Sequence, residues 1–278
     1  MASVVAQART RAPFLTCRVR CGAPQSAYFS SLHSGSFDGT VHDEGDPGTL
    51  SFRKFFRDAS GRVISPWHDI RLHGAQHGIF NCIIEIPKFT RPKMEVNITE
   101  RHNPIAQDVK KGRLRNYHGP IFWNYGMMPQ TWENPDKVHS ATGCAGDGDP
   151  LDVVEIGSKA LSCGAVVPVK PLGVLAMIDD GELDWKVLAI STDDPLAQEL
   201  HDVGDVDAKC PGVTSGIREW FRWYKTPDGK PLNRFGFEER FLERSLALSV
   251  ISENYETWKA LRDGSAEAGK VWTSAEVS

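Results

Sequence analysis

Three aspartates lie within six residues of one loop, Asp147, Asp149 and Asp152, separated only by glycine, proline and leucine. Two carboxylates about 4 Å apart repel each other by on the order of 1 kcal/mol in water, and by more where solvent is excluded. A loop that keeps such a group usually holds a cation, and all-oxygen ligands suit Mg²⁺, Mn²⁺ or Ca²⁺ better than zinc. An isolated pair of this kind is also typical of a solvated acidic turn. A second acidic turn, with Asp179 and Asp184, favours the cation site.

Basic side chains accompany these acids along the chain. Lys93 and Glu95 share one face of an alternating segment, and Glu85 lies near the end of the apolar run before it. Exposed charges on a half-buried sheet would give the same pattern. Arg115 ends a basic turn, and arginine is the preferred partner of multi-oxygen anions. Four further candidates stand beside these groups in sequence: Tyr125, Lys186, Tyr224 and Lys225.

Acids that hold divalent metals, beside cations that bind an anion, are the arrangement of phosphoryl chemistry. In such sites the protein supplies positioning and charge, and the metals generate the attacking hydroxide. With two metals roughly 3.5–4 Å apart, a bridging water loses its proton near neutral pH. Asp149, between two candidate metal ligands, could accept that proton.

The hydrophobic pattern predicts strands first and helices after them. Six segments read as strands or apolar runs of strand type: residues 48–57, 79–86, 93–98, 151–156, 165–178 and 185–190. Because the acidic turn at 179–184 joins the last two, they form a predicted hairpin. Three later segments have helical spacing: residues 195–201, 214–224 and 240–261. We expect an α+β fold, with a closed or strongly curved sheet and helices packed outside it.

The first 37 residues have the composition of an organelle transit peptide. They contain four arginines, no lysine and no acid, and the first acidic residue is Asp38. This composition predicts a cleaved or disordered leader over residues 1–37 and a single domain over 38–278. We expect the chloroplast stroma as the destination, with the mitochondrion as the alternative. A disordered basic tail that binds nucleic acid would have a similar composition.

The rest of the chain is acidic. Without those four arginines it has 28 basic and 36 acidic residues, a net charge of −8. A protein this acidic is a poor general binder of nucleic acid. No run approaches the roughly 18 apolar residues of a membrane span, so we expect no membrane partner. Four cysteines are dispersed without a C-x-x-C pair, which predicts reduced thiols and no zinc site: Cys82, Cys144, Cys163 and Cys210.

Eight segments, in the same order along the chain, resemble the family I soluble inorganic pyrophosphatases of the eukaryotic type. They are residues 84–88, 93–95, 111–115, 124–126, 129–132, 147–152, 180–186 and 224–230. One D-x-D-P-x-D signature is moderately specific, whereas eight matches in order are highly specific. The resemblance runs from about residue 48 to 262. The segment from Trp123 to Tyr125 and the loop at 66–69 are most similar to the plastid (plant and algal) members.

The resemblance implies Mg²⁺-dependent hydrolysis of inorganic diphosphate to two orthophosphates, by a metal-activated hydroxide with an aspartate as general base. It implies several Mg²⁺ ions per active site, with Mn²⁺ as a possible substitute. The implied fold is a five-stranded, OB-like closed β-barrel with flanking α-helices and an extra N-terminal hairpin. The partner is the small-molecule substrate, and the protein is expected to be a homodimer or a monomer.

The resemblance also assigns roles by motif. It implies Asp149 as the proton acceptor, acting with Arg115, Lys93 and Tyr125 as the catalytic set. The implied metal ligands are Asp147, Asp152, Asp184 and Asp179, with Glu85 and Glu95 in the outer metal shell. The implied phosphate-holding groups are Lys93, Arg115, Tyr125, Lys186, Tyr224 and Lys225.

Two departures from the family pattern accompany these matches. Ile121 stands where the eukaryotic type often has a tyrosine, so that role is absent or belongs to Lys, Arg or metal-bound water. The segment between Arg115 and Trp123 is also short, which affects loop geometry and the usual dimer contact. Two other functions fit the sequence less well. An EF-hand fails on spacing, because Leu151, Asp152 and Ser158 occupy the positions of its fifth, sixth and twelfth residues. An OB-fold binding protein without catalysis would need a basic, aromatic face.

Overall fold

The computed structural model of the chain describes residues 37–273. The strands are β1 Thr40–Glu44, β2 Arg53–Arg57, β3 Val63–Ile64, β4 Phe80–Ile86, β5 Met94–Val96, β6 Ile105–Gln107, β7 Val109–Lys110, β8 Arg113–Leu114, β9 Asn124–Met127, β10 Asp152–Glu155, β11 Val166–Asp179, β12 Glu182–Ser191, β13 Arg234–Phe235 and β14 Leu242–Glu243. The α-helices are α1 Val203–Lys209, α2 Val213–Trp223 and α3 Arg244–Asp263. Three 3₁₀ turns cover Pro195–Gln198, Thr226–Asp228 and Phe237–Glu239.

The central sheet is built from β4, β9, β10, β12 and β11, and each of these strands pairs with two others of the set. The pairings β4–β9, β9–β10, β11–β12 and β4–β11 are antiparallel, and β10–β12 is parallel. A smaller sheet has the order β1-β2-β6-β5, with β3 beside β2. Strands β1–β12 precede all three helices, and only the short β13 and β14 lie between α2 and α3, so residues 37–273 form an α+β fold, as the sequence predicts.

The hairpin β11–β12 is the longest paired element in residues 37–273, and it forms where the sequence predicts it. Its turn places Asp180 at φ 50° and Gly181 at φ 100°. Two successive positive φ angles match the right-handed twist of the two strands, and glycine adopts such an angle without steric cost. Asp179 therefore lies at one end of the hairpin, facing its register partner Glu182.

Helix α3 packs on β11 through residues spaced three and four apart. Its buried side chains include Ala247, Val250, Ile251 and Trp258. The predicted start at residue 240 is wrong, because Leu242 and Glu243 pair with β11 as strand β14 before the helix begins. The helix ends at Gly264, whose φ of 80° is the left-handed conformation that terminates many helices.

Other predicted boundaries move by a few residues. The helix expected at 214–224 is α2, and the one expected at 195–201 is only a 3₁₀ turn followed by α1, which the sequence did not predict. Helix α1 has seven residues and one buried side chain, Val206, so it carries too little periodicity to detect. The leader predicted over residues 1–37 lies outside the described residues except for Phe37.

In the part of the chain from 37 to 273, no helix is both long enough and apolar enough to cross a membrane.

Candidate active site

One cavity of about 580 Å³ is lined by all thirteen residues that the sequence analysis selected. They are Glu85, Lys93, Glu95, Arg115, Tyr125, Asp147, Asp149, Asp152, Asp179, Asp184, Lys186, Tyr224 and Lys225. They come from six strands, three loop segments and the end of a helix, between residues 85 and 225. The structure therefore brings these scattered acids and bases together around one cavity.

Strand register produces the central group of the cavity, which consists of Asp152, Asp184, Lys186 and Tyr125. Asp152 on β10 is the register partner of Lys186 on β12, and Asp184 is two residues before Lys186, on the same face. The Lys186 side chain is only 2% exposed, and its Nζ contacts both carboxylates. It also donates to the Tyr125 hydroxyl at 3.0 Å, and that hydroxyl donates to Asp152. Burial lowers the pKa of Lys186, but the two carboxylates raise it further, so this lysine stays charged.

A second group lies on and beside β5. Lys93 contacts Glu95, two residues along the same face, and lies 3.2 Å from Asp108 Oδ2. Arg115 donates to the same Asp108 carboxylate. Burial lowers the pKa of Lys93, but Glu95 and Asp108 raise it well above its usual range. Glu85 on β4 accepts a hydrogen bond from the backbone N–H of Val96 at 2.6 Å, which ties β5 to the central sheet.

A third group joins the hairpin β11–β12 to the end of α2. The Tyr224 hydroxyl donates to Asp179 Oδ2 at 3.0 Å, and Lys225 contacts the same carboxylate. Tyr224 follows the last residue of α2, and its ring stacks on Trp220 at 5.3 Å between centroids. The buried face of α2 thereby fixes where Tyr224 and Lys225 enter the cavity. Asp179 Oδ1 is buried and makes no hydrogen bond to any described residue.

The acidic loop lies between these groups. The backbone N–H of Asp149 donates to Asp147 Oδ1 at 2.9 Å, and Gly148 between them has a φ of 89°. Desolvation and then repulsion by Asp149 raise the pKa of Asp147 to about 8. Asp149 is exposed and lines the cavity. Desolvation by the cavity walls, followed by repulsion from Glu95 and Asp152, raises the pKa of Asp149 to about 7.

These side chains fit divalent cations that prefer oxygen. The donors are carboxylates, and Asp179 Oδ1 is a buried oxygen without a hydrogen-bond partner in the described part of the chain, residues 37–273. Desolvation and mutual repulsion also raise the pKa of Asp184, and a cation among the acids would offset that repulsion. All-oxygen sets of this kind bind Mg²⁺, Mn²⁺ or Ca²⁺. The residues that could hold such ions are Asp147, Asp152, Asp179, Asp184, Glu85 and Glu95.

Three residues of this region were missed by sequence reasoning: Asp108, Tyr117 and Glu133. Asp108 pairs with both Lys93 and Arg115, and Tyr117 lines the cavity. None belongs to a dense acidic or basic segment, so no sequence pattern distinguishes them. Ile121 is fully buried in the core and does not line the cavity, whereas Tyr117, four residues earlier, does.

A second cavity of about 550 Å³ adjoins the first and shares five lining residues with it, Lys93, Arg115, Tyr117, Tyr224 and Lys225. It continues toward the two-stranded hairpin β7–β8, which contributes Lys110, Lys111 and Arg113. All three are exposed. The approach to the acidic cavity is thus lined by basic side chains.

Comparison with known proteins gives one family. A family model for inorganic pyrophosphatase matches residues 82–259. Soluble inorganic pyrophosphatase 6, chloroplastic, of Arabidopsis thaliana is 51% identical over 230 residues, covering 82% of this chain and 76% of that protein. The type I inorganic pyrophosphatase from Toxoplasma gondii superposes with a TM-score of 0.78 at 48% identity, over 80% of this chain and 99% of that one. The truncated vacuolar soluble pyrophosphatase of Trypanosoma cruzi, solved in complex with PPi, gives 0.77 at 40% identity, over 89% and 98%.

Proposed function

Since this chain belongs to the inorganic pyrophosphatase family, we propose that it hydrolyses inorganic diphosphate to two orthophosphates in the cavity described above. The observation that carries the proposal is the meeting, in one cavity, of six carboxylates suited to divalent cations with the basic and phenolic groups that suit phosphoryl oxygens. A structurally similar relative from Trypanosoma cruzi was solved with PPi.

The acids have the role of cation ligands. Asp147, Asp152, Asp184 and Asp179 would hold the ions, with Glu85 and Glu95 in the outer shell. We propose Mg²⁺ as the physiological ion, several per site, with Mn²⁺ able to replace it. Such ions supply charge neutralisation to the substrate and acidify water.

The basic groups hold the two phosphoryl groups. Lys93, Arg115 and Lys225 border both cavities, so their nitrogens can reach an anion that enters through the basic approach. Lys186 and Tyr125 lie deeper, and Tyr224 lies beside Lys225. In the structure Lys93 contacts Glu95 and Arg115 contacts Asp108. Lys225 contacts Asp179. Binding of a multi-oxygen anion lets each cation exchange a carboxylate for a phosphoryl oxygen.

Asp149 is the proposed proton acceptor for the attacking water. It is exposed to the cavity, and its backbone is held by the turn to Asp147. Arg115, Lys93 and Tyr125 complete the catalytic set by holding the group that departs. A positioned general base contributes about 10²–10⁴-fold to a rate.

Finer features of the protein belong to the same proposal. The five central strands, each paired with two others, are proposed to be an OB-like closed barrel with flanking helices and the N-terminal pair β1–β2 as an added hairpin. Residues 38–278 are proposed to be a single domain, as a homodimer or a monomer, without nucleic-acid or membrane partners.

The first 37 residues are proposed to direct the protein to the chloroplast stroma, because their composition is that of a transit peptide and the Arabidopsis relative is named chloroplastic. Imaging a fusion of those residues distinguishes this from a mitochondrial address.

The test is phosphate release from diphosphate, by the chain with and without residues 1–37, in the presence and absence of Mg²⁺. We expect turnover that depends on Mg²⁺ and does not require the leader. Diphosphate that binds without being cleaved would instead support an OB-fold binding protein without catalysis.

A further inference from the structure

Glu133 places a further buried carboxylate against the acids of the cavity. The residue is 3% exposed and follows Trp132, outside the thirteen residues selected from the sequence. One carboxylate oxygen from each of Glu133, Asp147 and Asp184 lies within 4.8 Å of the other two. Two oxygens on opposite sides of one ion lie about 4–5 Å apart, because metal–oxygen distances are roughly 2.0–2.6 Å for Mg²⁺ and Ca²⁺. The three oxygens are therefore close enough to share one cation.

The backbone of Glu133 holds the acidic loop in place. Its carbonyl accepts from the N–H of Gly148 at 2.8 Å, and its own N–H donates to the carbonyl of Asp149 at 2.9 Å. Gly146 allows this close approach, since a Cβ there would lie 2.4 Å from the Glu133 carbonyl oxygen. Asp147 is thus fixed, on both sides, relative to Glu133.

The side chain of Glu133 reaches the neighbouring strand. Its Oε1 accepts from the backbone N–H of Trp185 at 2.9 Å, next to Asp184 on β12. Its Oε2 is buried and has no hydrogen-bond partner among residues 37–273. An ionised carboxylate with an unpaired buried oxygen, beside two more carboxylates, is costly unless a cation compensates it.

The buried Glu155 shows what a structural carboxylate looks like in the same protein. It is 1% exposed, and its Oε1 accepts from the N–H groups of Gly157 and Ser191 at 2.7 and 2.9 Å. Its Oε2 accepts from Asn124 Nδ2 at 2.7 Å. Both oxygens of Glu155 are satisfied by the protein, whereas Glu133 has one backbone donor for its two oxygens.

We propose that Glu133 is a third carboxylate of a cation site with Asp147 and Asp184, and that it positions these two aspartates around the ion. This role for Glu133 belongs to the site of the proposed function. It rests on that function for what the bound ion does in the reaction. Cation binding is measurable without substrate, so failure of this inference is distinguishable from failure of the hydrolase proposal.

The test is a titration of the full-length protein with Mn²⁺ in the absence of substrate. Binding is monitored through the electron paramagnetic resonance signal of the free Mn²⁺. Glu133→Gln removes the charge and keeps the oxygen that accepts from Trp185. We expect this variant to bind Mn²⁺ about 10- to 100-fold more weakly at one site, the usual effect of a group that orients metal ligands. A binding curve that superimposes on that of the unchanged protein would overturn the proposal.

Glu155→Gln is the matched control, since it also neutralises a buried glutamate. We expect it to lower the Tm in EDTA and to leave Mn²⁺ affinity unchanged. Glu133→Gln should show the reverse: a Tm in EDTA equal to or above that of the unchanged protein, and a smaller rise in Tm on adding Mn²⁺. Glu133→Asp, which keeps the charge, should recover part of the affinity. A Glu133→Gln variant that loses Tm in EDTA and keeps its Mn²⁺ affinity would show that Glu133 is purely structural.

Discussion

The acids of the cavity differ in whether the protein itself supplies a cation to them. Asp152 and Asp184 contact Lys186, and Asp179 contacts Lys225. Asp147 and Asp149 form no ion pair with any residue between 37 and 273, and desolvation and neighbouring carboxylates raise the pKa of both. Lys186 and Lys93 offset part of this effect, and a proton or an added cation would relieve the rest, which is why Asp147 and Asp149 are placed at the centre of the proposed reaction.

Replacing Asp149 by asparagine tests the proton acceptor. Asp149→Asn keeps the size of the side chain and removes its ability to take a proton from water. We expect the fold and Mn²⁺ binding to persist while turnover falls by roughly 10²–10⁴. Phosphate release and Mn²⁺ binding are measured on the same preparation. Near-normal turnover would exclude Asp149 from this role.

Asp152 tests the ligand assignment. Asp152→Ala removes a carboxylate from the proposed cation site and leaves Lys186 and Tyr125 without one partner. We expect half-maximal activity to require at least about ten times more Mg²⁺, as for other groups that determine metal affinity. Asp152→Asn is the control for packing, because it keeps the acceptor for Tyr125. An unchanged Mg²⁺ dependence would mean that Asp152 is not a ligand.

Strands and turns bring the scattered acids together, and much of this was visible in the sequence. The turn at 179–184 between two apolar runs predicted the hairpin β11–β12, and alternation predicted Lys93 and Glu95 on one face. The sequence did not predict the parallel pairing of β10 with β12, which sets Asp152 opposite Lys186. Strand partners distant in sequence leave no local pattern, so this register is evident only in three dimensions.

The same limit explains the missed residues. Glu133 is a single acid between Trp132 and Asn134, and its importance arises from Gly148, Asp149 and Trp185, which lie 15 to 52 residues further along the chain. Tyr117 and Asp108 likewise acquire partners only when β5, β8 and α2 meet. Clustered acids are recognisable in the sequence because their mutual repulsion indicates a bound cation. A single acid or tyrosine gives no such indication.

The hairpin β7–β8 is expected to attract the anionic substrate. Its exposed Lys110, Lys111 and Arg113 line the second cavity of a chain whose net charge is −4. Replacing all three by serine should lower kcat/KM for diphosphate about tenfold at low ionic strength, since long-range steering depends on local charge. The deficit should shrink as salt rises above about 0.1 M, where screening acts over roughly 10 Å.

Removing three cations that line neither cavity is the control for this experiment: Lys209, Arg240 and Lys259. The control variant should keep its kcat/KM at every salt concentration. A deficit of the hairpin variant that does not change with salt would contradict electrostatic steering and indicate a direct contact with substrate.

At the scale of the whole molecule, His68 connects the loop at 65–69 to both helix α3 and the C-terminal segment. Trp258 Nε1 is a donor only, so the 2.9 Å bond to His68 Nδ1 requires that nitrogen to be unprotonated. His68 Nε2 therefore carries the proton and donates to the carbonyl of Trp272 at 2.9 Å. The pKa of His68 is lowered to about 3, mainly by desolvation. The hydrogen bond to Trp272 acts to raise this pKa, and the positive charge of Arg262 acts to lower it.

Because His68 is buried in its neutral form, we expect the free energy of unfolding to fall in mild acid. The unfolded chain binds a proton at His68 below about pH 6.5, whereas the folded protein does not until about pH 3. The contribution is complete above pH 6.5 and is lost as pH falls through that window, by up to about 1.4 kcal/mol per pH unit. The measurement is the free energy of unfolding in urea at pH 7.5, 6 and 5. His68→Gln should be less stable at pH 7.5 but lose less stability between pH 7.5 and 5. Parallel losses in the two proteins would show that His68 is not the group responsible.

The central claim is that scattered acids enclose divalent ions beside basic groups that hold two linked phosphoryl groups. Crystals of the protein grown with Mn²⁺ and a non-hydrolysable diphosphate analogue test it most directly, by anomalous scattering at the manganese edge. We predict Mn²⁺ ions bound by Asp147, Asp152 and Asp184, with the analogue between those ions and Arg115 and Lys225. Manganese bound elsewhere, or an analogue out of reach of these cations, would contradict the account.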